Sequence, residues 1–434
     1  MLQINRQVIA AVTGTFLEYY DYVLYVHFLI ILSPLFFPNA DPSINVLMGF
    51  ASFAVGYVAR PLGGILFGHI GDKVGRKKAI ALALVFSTFA TFAIGLLPTY
   101  SQIGILASVL LVFCRITQNF SVGGEVPGAS CFLIETATKQ NRCLRSSYIN
   151  VSYMGAGIIA TLIGFICTQP FMPSWAWRIP FLIAITFGSV GFYIRYKLEE
   201  TPDFKRVIAK KEVLKIPLLE VIKKDRLQIL CTLGISAGVL APTAILYTYL
   251  PHIIKSNLNL SIAELLIMNC VIMTFSLISL LVLGKMGDRI GSRTVMFWSS
   301  VVFIGIAYPL FKVIHESVTF WPIFLAELII SLVCAGITAP LNVVTSLMYP
   351  TQRRYSGNAF AWGMGTIVFA GLCPLISKGL VSMTDNANSP ALFLMLCGVA
   401  SLFAVIYAPD ISGEQDKPLH AFLKLRVFSR KRVS

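Results

Sequence analysis

Charge is scarce in this chain. Only 13% of its 434 residues are Asp, Glu, Lys or Arg, about half the share usual for a soluble globular protein. Nucleotide hydrolysis lacks its phosphate-cradling G-x-x-x-x-G-K-[ST] loop. No His/Asp/Glu group has metal-ligand spacing, and no Ser/His/Asp set is arranged for acyl transfer. The five histidines (27, 69, 252, 315, 420) fall in unrelated segments. The nine cysteines (114, 131, 143, 167, 231, 270, 334, 373, 397) are scattered, nearly all in apolar runs and without a CxxC pair. They read as small packing residues. Neither an enzyme nor a metal- or cofactor-dependent protein is expected. No cleavable leader is expected: the first apolar run, from near Gln7 to about Phe37, is too long for a signal-peptide core and reads as a retained helix.

Long apolar runs are plentiful. The chain is 56% hydrophobic, with mean hydropathy +0.77. Its uncharged stretches of roughly 20 residues each suffice to cross a ~30 Å hydrocarbon core as helix. The ~10-residue alternating segments of a membrane β-barrel are absent. The expected fold is therefore an all-α polytopic membrane protein. Twelve transmembrane helices are predicted, at about 8–36, 46–70, 79–97, 104–133, 146–168, 176–196, 228–252, 261–285, 294–313, 319–347, 356–379 and 389–408.

The net charge of +15 does not point to nucleic acid, because its distribution fits a bilayer instead. Arg6, Lys73 to Lys78, Lys139 to Arg145, Arg195 to Arg226, Lys285 to Arg293, Arg353/Arg354 and Lys417 to Arg432 occupy alternate connections. The intervening ones hold only Lys255, Lys312 and Lys378, with Arg178 near a boundary. The positive-inside rule then puts both termini in the cytoplasm. The predicted divisions are an N-terminal six-helix bundle (1–196), a cytoplasmic linker (197–226), a second six-helix bundle (227–408) and a basic tail (409–434). The linker, with Pro202 and Pro217, reads as one or two surface helices whose lysines meet anionic headgroups. In the tail, Leu419, Phe422, Leu423, Leu425 and Phe428 among basic residues fit an amphipathic patch or a merely positive disordered end. The expected setting is a multi-pass cell (plasma, inner) membrane protein acting as a monomer.

One short stretch organises the rest. Gly68-His69-Ile70-Gly71-Asp72-Lys73-Val74-Gly75-Arg76-Lys77-Lys78 is a glycine-rich basic turn between two apolar runs, and it is echoed 216 positions on. There Gly284, Gly287, Asp288 and Gly291 repeat Gly68, Gly71, Asp72 and Gly75. A single copy would fit a plain hairpin with cytoplasmic lysines. Two copies half a chain apart indicate a duplicated unit. The turn needs small residues for close helix approach and an acid to hold a base across the cytoplasmic mouth. Asp72 is that acid, Arg76 its expected partner, and Glu135 a further acid nearby.

These residues resemble the loop signature G-x-x-x-D-[RK]-x-G-R-[RK] of the major facilitator superfamily, matched at Gly68, Asp72, Lys73, Gly75, Arg76 and Lys77. Narrower motifs resemble its metabolite:proton symporter subfamily of proline/betaine-, α-ketoglutarate-, citrate- and shikimate-type carriers. They are Phe16-Leu17-Glu18-Tyr19-Tyr20-Asp21-Tyr22, Ala59-Arg60-Pro61-Leu62-Gly63-Gly64, Ser121-Val122-Gly123-Gly124-Glu125, Trp177-Arg178-Ile179-Pro180-Phe181-Leu182 and Leu198-Glu199-Glu200-Thr201-Pro202. The chain departs at Tyr19, where the subfamily has tryptophan, and at Asn119, where it has glycine. The resemblance implies two six-helix pseudo-repeats and alternating access.

Ionisable residues inside spans are costly and functional by default. Helix 1 carries Glu18 and Asp21, which share a face with Tyr22 and Tyr25; Glu18 lies ~15 Å into the span. Helix 2 supplies Arg60 and Tyr57, and helix 4 supplies Arg115, Gln118 and Glu125. If Arg60 and Arg115 each pair with an acid, one carboxylate is left over to bind a proton. Glu18 or Asp21 is favoured for that role, with Glu125 a further proton-coupling candidate. Static ion pairs that merely lock helices are the plainer alternative. Substrate contacts are expected from Tyr19, Tyr22, Tyr25, Tyr57, Arg60, Arg115, Gln118, Asn119, Tyr247, Asn358 and Trp362. Two arginines suit a carboxylate, and the aromatics suit a quaternary ammonium. Each asparagine taken alone also fits an interhelical hydrogen bond. Glu327 is the main intramembrane acid of the second half.

Gly123-Gly124, Pro127, Pro242 and Pro340 are predicted flexing points. The cytoplasmic gate is expected to comprise Gly68, Asp72, Gly75, Arg76 and Glu135, with Asp288 and Arg293 as a second latch. The leading expectation is a proton-coupled importer of a small carboxylate or zwitterion. A proton-driven exporter is the first alternative; its usual glycine-proline pair is missing from helix 5 (Ser146 to Thr168). A non-transporting membrane sensor is the second, and the short tail leaves little room for a signalling domain.

Overall fold

A computed structural model of the chain describes residues 6–39, 42–167, 169, 171–258 and 262–409. The described residues are helical with short connections. The first group of rods is α1 (Arg6–Phe36), α2 (Pro42–Lys73), α3 (Arg76–Leu96), the single turn α4 (Tyr100–Ile103), α5 (Ile105–Thr136), α6 (Arg142–Cys167) and α7 (Arg178–Tyr196). Two short helices follow, α8 (Pro202–Ala209) and α9 (Pro217–Lys224). The second group begins with α10 (Arg226–Ala244), which passes through a π turn (Ile245–Tyr249) into α11 (Leu250–Leu258). It continues with α12 (Ile262–Ile290), α13 (Ser292–Glu316), α14 (Phe320–Thr338), α15 (Leu341–Leu347), α16 (Arg354–Thr366), α17 (Cys373–Thr384) and α18 (Ser389–Tyr407). Among the described residues nine helices are long and apolar enough to cross a membrane, or ten if α16 and α17 count as one bent span.

The glycine-rich turn is shorter than its sequence suggests. Helix α2 runs through Gly68 and Gly71 to Lys73, α3 restarts at Arg76, and only Val74 and Gly75 lie between. Gly75 has φ 131° and its repeat-mate Gly291 φ 103°, a region that a Cβ makes costly. Gly71 is needed for a different reason: a Cβ there would stand 1.9 Å from the Tyr355 ring. The small residues thus serve close packing of α2 against α16 rather than a loop.

The predicted flexing points divide. Pro127 lies inside an unbroken α5. Pro242 precedes the π turn, and Pro340 sits in the break between α14 and α15. A further bend of 41° separates α16 from α17, at a π turn (Ile367–Gly371) followed by Pro374. The linker helices exist, but each packs on the bundle through its apolar side: Phe204 and Val207 of α8, and Pro217 and Val221 of α9, are buried. Residues 410–434, which hold the basic tail, lie outside the described residues.

The two groups meet along α2 with α16 and α6 with α12. At the end bearing Lys73–Lys78, Arg142, α8, α9 and Arg353, called here the basic face, the groups are hydrogen-bonded to each other. The Ser130 and Ser346 hydroxyls are 2.9 Å apart. Asn150 donates to the Thr338 carbonyl (3.0 Å) and Asn342 to that of Ser146 (3.3 Å).

Candidate functional site

Burial of an ion pair is tolerable only when partners replace water, so each buried charge can be followed to its partner. Asp21 is held by Arg115 at 3.0 Å, and Arg115 also donates to Gln118 (2.8 Å). Gln118 passes the chain on to Thr91 at 2.9 Å, and the Arg115 guanidinium lies 4.1 Å over the Tyr25 ring. Tyr25 in turn bonds Ser52. Helices α1, α2, α3 and α5 are tied together by this chain.

The static-pair alternative would set Glu125 against Arg115, on the same helix face. Glu125 is instead clamped by Arg195, whose Nη1 donates to Glu125 Oε2 at 2.8 Å while Nη2 bonds the other oxygen. Arg195 was grouped with the exposed basic linker by sequence, yet it is fully buried. Its remaining donors reach the carbonyls of Ala10, Ala11 and Ile80. The inward turn of this residue at the end of α7 fills a need for positive charge among α1, α3 and α5.

Arg60, by contrast, pairs with no acid among the described residues. Its Nε donates to Asn119 Oδ1 at 2.9 Å, Asn119 donates back to the Arg115 carbonyl, and the guanidinium lies 4.2 Å over the Tyr57 ring. Glu18 is left with one hydrogen bond, from the Tyr153 hydroxyl at 3.3 Å. Arg60 is the positive charge it senses most strongly. The ring of Tyr153 is 5.2 Å from that of Tyr19, which stacks on Tyr22 at 5.4 Å. Tyr19 approaches Met273 of α12 across Gly157. Glu18, Arg60, Tyr19, Tyr22, Tyr57 and Tyr153 therefore form a polar, aromatic-lined zone where the first group faces the second. Tyr153 was missed by sequence: a tyrosine in an apolar span gives no signal of its own.

The second group contributes differently from expectation. Tyr247, in the π turn, lines a small cavity with Met154, Ser276, Ser331 and Thr338, and its hydroxyl is 3.8 Å from Met154 Sδ. Asn358 is buried and donates to the Ser346 hydroxyl at 3.0 Å, which puts it in the serine layer near the basic face. Trp362 is partly buried and packs on the core of the second group.

At the basic face the gate candidates converge. The Asp72 carboxylate accepts the backbone N–H groups of Tyr355 (3.2 Å) and Ser356 (2.8 Å), at the start of α16. An acid at a helix N-terminus satisfies orphan donors and complements the macrodipole. Arg76 holds Asp72 and Glu135 at 3.2 Å each and donates to the Gly71 and Thr351 carbonyls. Arg354 of the second group pairs with the same Glu135 at 2.9 Å, and Thr201 donates to it as well. Glu200 accepts the backbone amides of Arg76 and Lys77.

Asp288 does the same from the other side. Its carboxylate accepts the amides of Cys143 (2.8 Å) and Leu144 (3.0 Å) at the start of α6. The predicted latch between Asp288 and Arg293 is replaced by this cap, because Arg293 turns to the carbonyls of Ala408 and Pro409. Position 292, the repeat-mate of Arg76, is Ser292, so the second copy keeps the cap and has a serine where the first has the arginine that holds its ion-pair network.

Two mirrored helical groups, with buried charges between them and a capped closure at one end, define a multi-pass carrier. Comparison with known proteins agrees. Residues 7–225 match the family described as sugar (and other) transporter, and residues 239–433 match the major facilitator superfamily. A proline/betaine transporter of Escherichia coli (strain K12) is 34% identical, covering 92% of this chain and 82% of the relative. A glycine betaine/proline/ectoine/pipecolic acid transporter of Dickeya dadantii (strain 3937) is 31% identical over 96% of this chain and 85% of the relative. The solved proton:xylose symporter XylE bound to 6-bromo-6-deoxy-D-glucose has the same fold, with TM-score 0.78 at 15% identity, covering 96% of this chain and 98% of that one. The chain belongs to the major facilitator superfamily, among its metabolite symporters, and is a multi-pass inner-membrane protein.

Proposed function

We propose that this protein is a proton-coupled importer of a small zwitterion or monocarboxylate, working by alternating access. The observation that carries the reading is Glu18: it is the one acid of the helix 1 and helix 4 set without a basic partner, and it faces Arg60 and a tyrosine cluster. Arg60 would take the substrate carboxylate with charge-assisted hydrogen bonds, each contributing about 1.5–3 kcal/mol. Exchanging Asn119 for the carboxylate is a small rearrangement. The faces of Tyr19, Tyr22 and Tyr57 would receive an ammonium group, each contact adding about 0.5–2 kcal/mol. The E. coli and D. dadantii relatives carry names that join a carboxylate to such a cation, which supports the zwitterion within this class.

Coupling follows from charge. A proton on Glu18 removes a negative charge beside the substrate carboxylate, so proton and substrate favour each other's binding, and reciprocity is required thermodynamically. The ten candidate spans with α1 and α2 make twelve crossings, an even number that leaves both ends on one side, the cytoplasmic side by the distribution of basic residues. The basic face is then the cytoplasmic gate. Asp72 and Asp288 hold it shut by capping α16 and α6, and the halves 1–196 and 227–408 rock about the site with 197–226 as their strap. The carrier acts as a monomer in the bilayer.

The test is uptake into proteoliposomes under an imposed pH gradient, with labelled proline, betaine, α-ketoglutarate, citrate and shikimate, for the wild type and Glu18→Gln. Expected is accumulation of proline or betaine that collapses with a protonophore and is lost in the variant. Uptake that equilibrates regardless of the gradient would make the protein a facilitator and the buried charges structural.

A further inference from the structure

Glu327 plays no part in the site just described. It is the eighth residue of α14, ~10 Å into that helix, and its side chain is buried, 1% exposed. Neither carboxylate oxygen has a hydrogen-bond partner, and no ion pair reaches it among the described residues. An ionised carboxylate in such a place costs several kcal/mol, and a structural role would have supplied it with a donor, as Arg115 does for Asp21 and Arg195 for Glu125.

The face of α14 that carries Glu327 leads to the interface. Ser331 is four residues on, and Cys334, Ala335 and Thr338 continue the same stripe. These last four line the cavity shared with Tyr247, Ser276 and, from the first group, Met154. Its volume of about 30 Å³ is room for one or two waters, and Tyr247, Ser276 and Ser331 line it with hydroxyls. Tyr247 is held in a π turn, a local irregularity frequent at functional sites. The neighbouring titratable groups carry no positive charge. They are Tyr247 from the π turn and Cys334 on α14 itself; α12 presents Ser276, and His315 of α13 stacks on Phe311.

We propose that Glu327 is a second proton-binding site of the transport cycle, seated in the C-terminal half and reached through the Tyr247–Ser276–Ser331 cavity. In the conformation closed at the basic face the carboxylate carries a proton. When the halves part along α6 and α12, water enters the cavity past Met154 and the proton leaves to it. The proposal rests on the symporter reading above, extending it from one protonated carboxylate to one in each half.

Two measurements separate the proposal from that reading. The first needs no substrate: pH-difference infrared spectroscopy of the purified protein in lipid, for wild type, Glu327→Gln and Glu18→Gln. A protonated-carboxyl band that titrates in wild type, vanishes in Glu327→Gln and persists in Glu18→Gln is expected. A spectrum unchanged in Glu327→Gln overturns the proposal, whatever the protein transports. The second compares gradient-driven uptake with counterflow, using labelled betaine and proline. Glu327→Gln is expected to keep counterflow, which also shows that it is folded, while losing part of the accumulation, with one fewer proton moved per substrate. Unchanged proton stoichiometry in Glu327→Gln overturns the proposal while leaving the Glu18 reading intact. Should the glutamine variant fail to fold, the wild type decides by its own ratio: a single proton per substrate excludes the second site.

Discussion

Individual charges in this protein are sorted by their partners. Asp21 and Glu125 look equivalent to Glu18 in the sequence, yet each is locked by an arginine, Arg115 or Arg195, that also bonds neighbouring groups. A locked pair holds helices in register. Replacing Arg115 with glutamine strands the buried Asp21, a loss of about 3–5 kcal/mol. A clearly lower thermal midpoint of the purified protein is expected, with most of it recovered in Asp21→Asn/Arg115→Gln. A single variant that melts with the wild type would remove the locking role. Sequence could not separate the three acids, because Arg195 lies 70 residues from Glu125 and sits in what reads as a basic loop.

In the proposed cycle the gate is built from whole elements. Asp72 caps α16 and Asp288 caps α6, so each repeat holds the start of a helix from the other. An acid at a helix N-terminus contributes about 0.3–2 kcal/mol, the upper part of that range in a buried setting. Asp72→Asn is therefore expected to shift the balance up to roughly thirtyfold toward an open basic face, since 1.4 kcal/mol is a factor of ten and 2 kcal/mol about thirty. The check is maleimide labelling of a cysteine introduced at Ser356, added from the basic side. Faster labelling with Asp72→Asn is expected, together with reduced transport at normal abundance. An unchanged labelling rate and full transport would end the gate reading. The spacing of the two motifs was plain in the sequence, but their targets were not: backbone amides leave no signature in residue type. The presumed partner Arg293 was chosen for its charge and proximity, and it turned elsewhere.

At the scale of the whole molecule, the closure at the basic face is a property of both groups together. Ser130 and Ser346 meet there at 2.9 Å, exactly one repeat apart in number, with Asn358 bonded to the same hydroxyl. If the halves must separate at this layer to release substrate, tying it shut stops the cycle. Ser130→Cys/Ser346→Cys, in a chain whose native cysteines are replaced, is expected to lose uptake under mild oxidation and regain it on reduction. Uptake that continues through a verified cross-link would show that the halves do not part there.

The sequence by itself determined the membrane class, the duplication, the family and the positions of the intramembrane acids. Each of these follows from composition, hydropathy period or a local motif, which are properties of neighbouring residues in the chain. The tertiary structure decided which charge meets which: Arg195 rather than Arg115 for Glu125, a helix start beside Arg76 for Asp72, a helix start in place of Arg293 for Asp288, and, among the described residues, no partner for Glu327. Pairing depends on distances across helices far apart in sequence, and burial makes an acid costly without saying where its partner will come from. That is why the number of intramembrane acids was legible in the sequence, while those without a basic partner among the described residues, Glu18 and Glu327, became visible only once each buried arginine had been followed to its own partners.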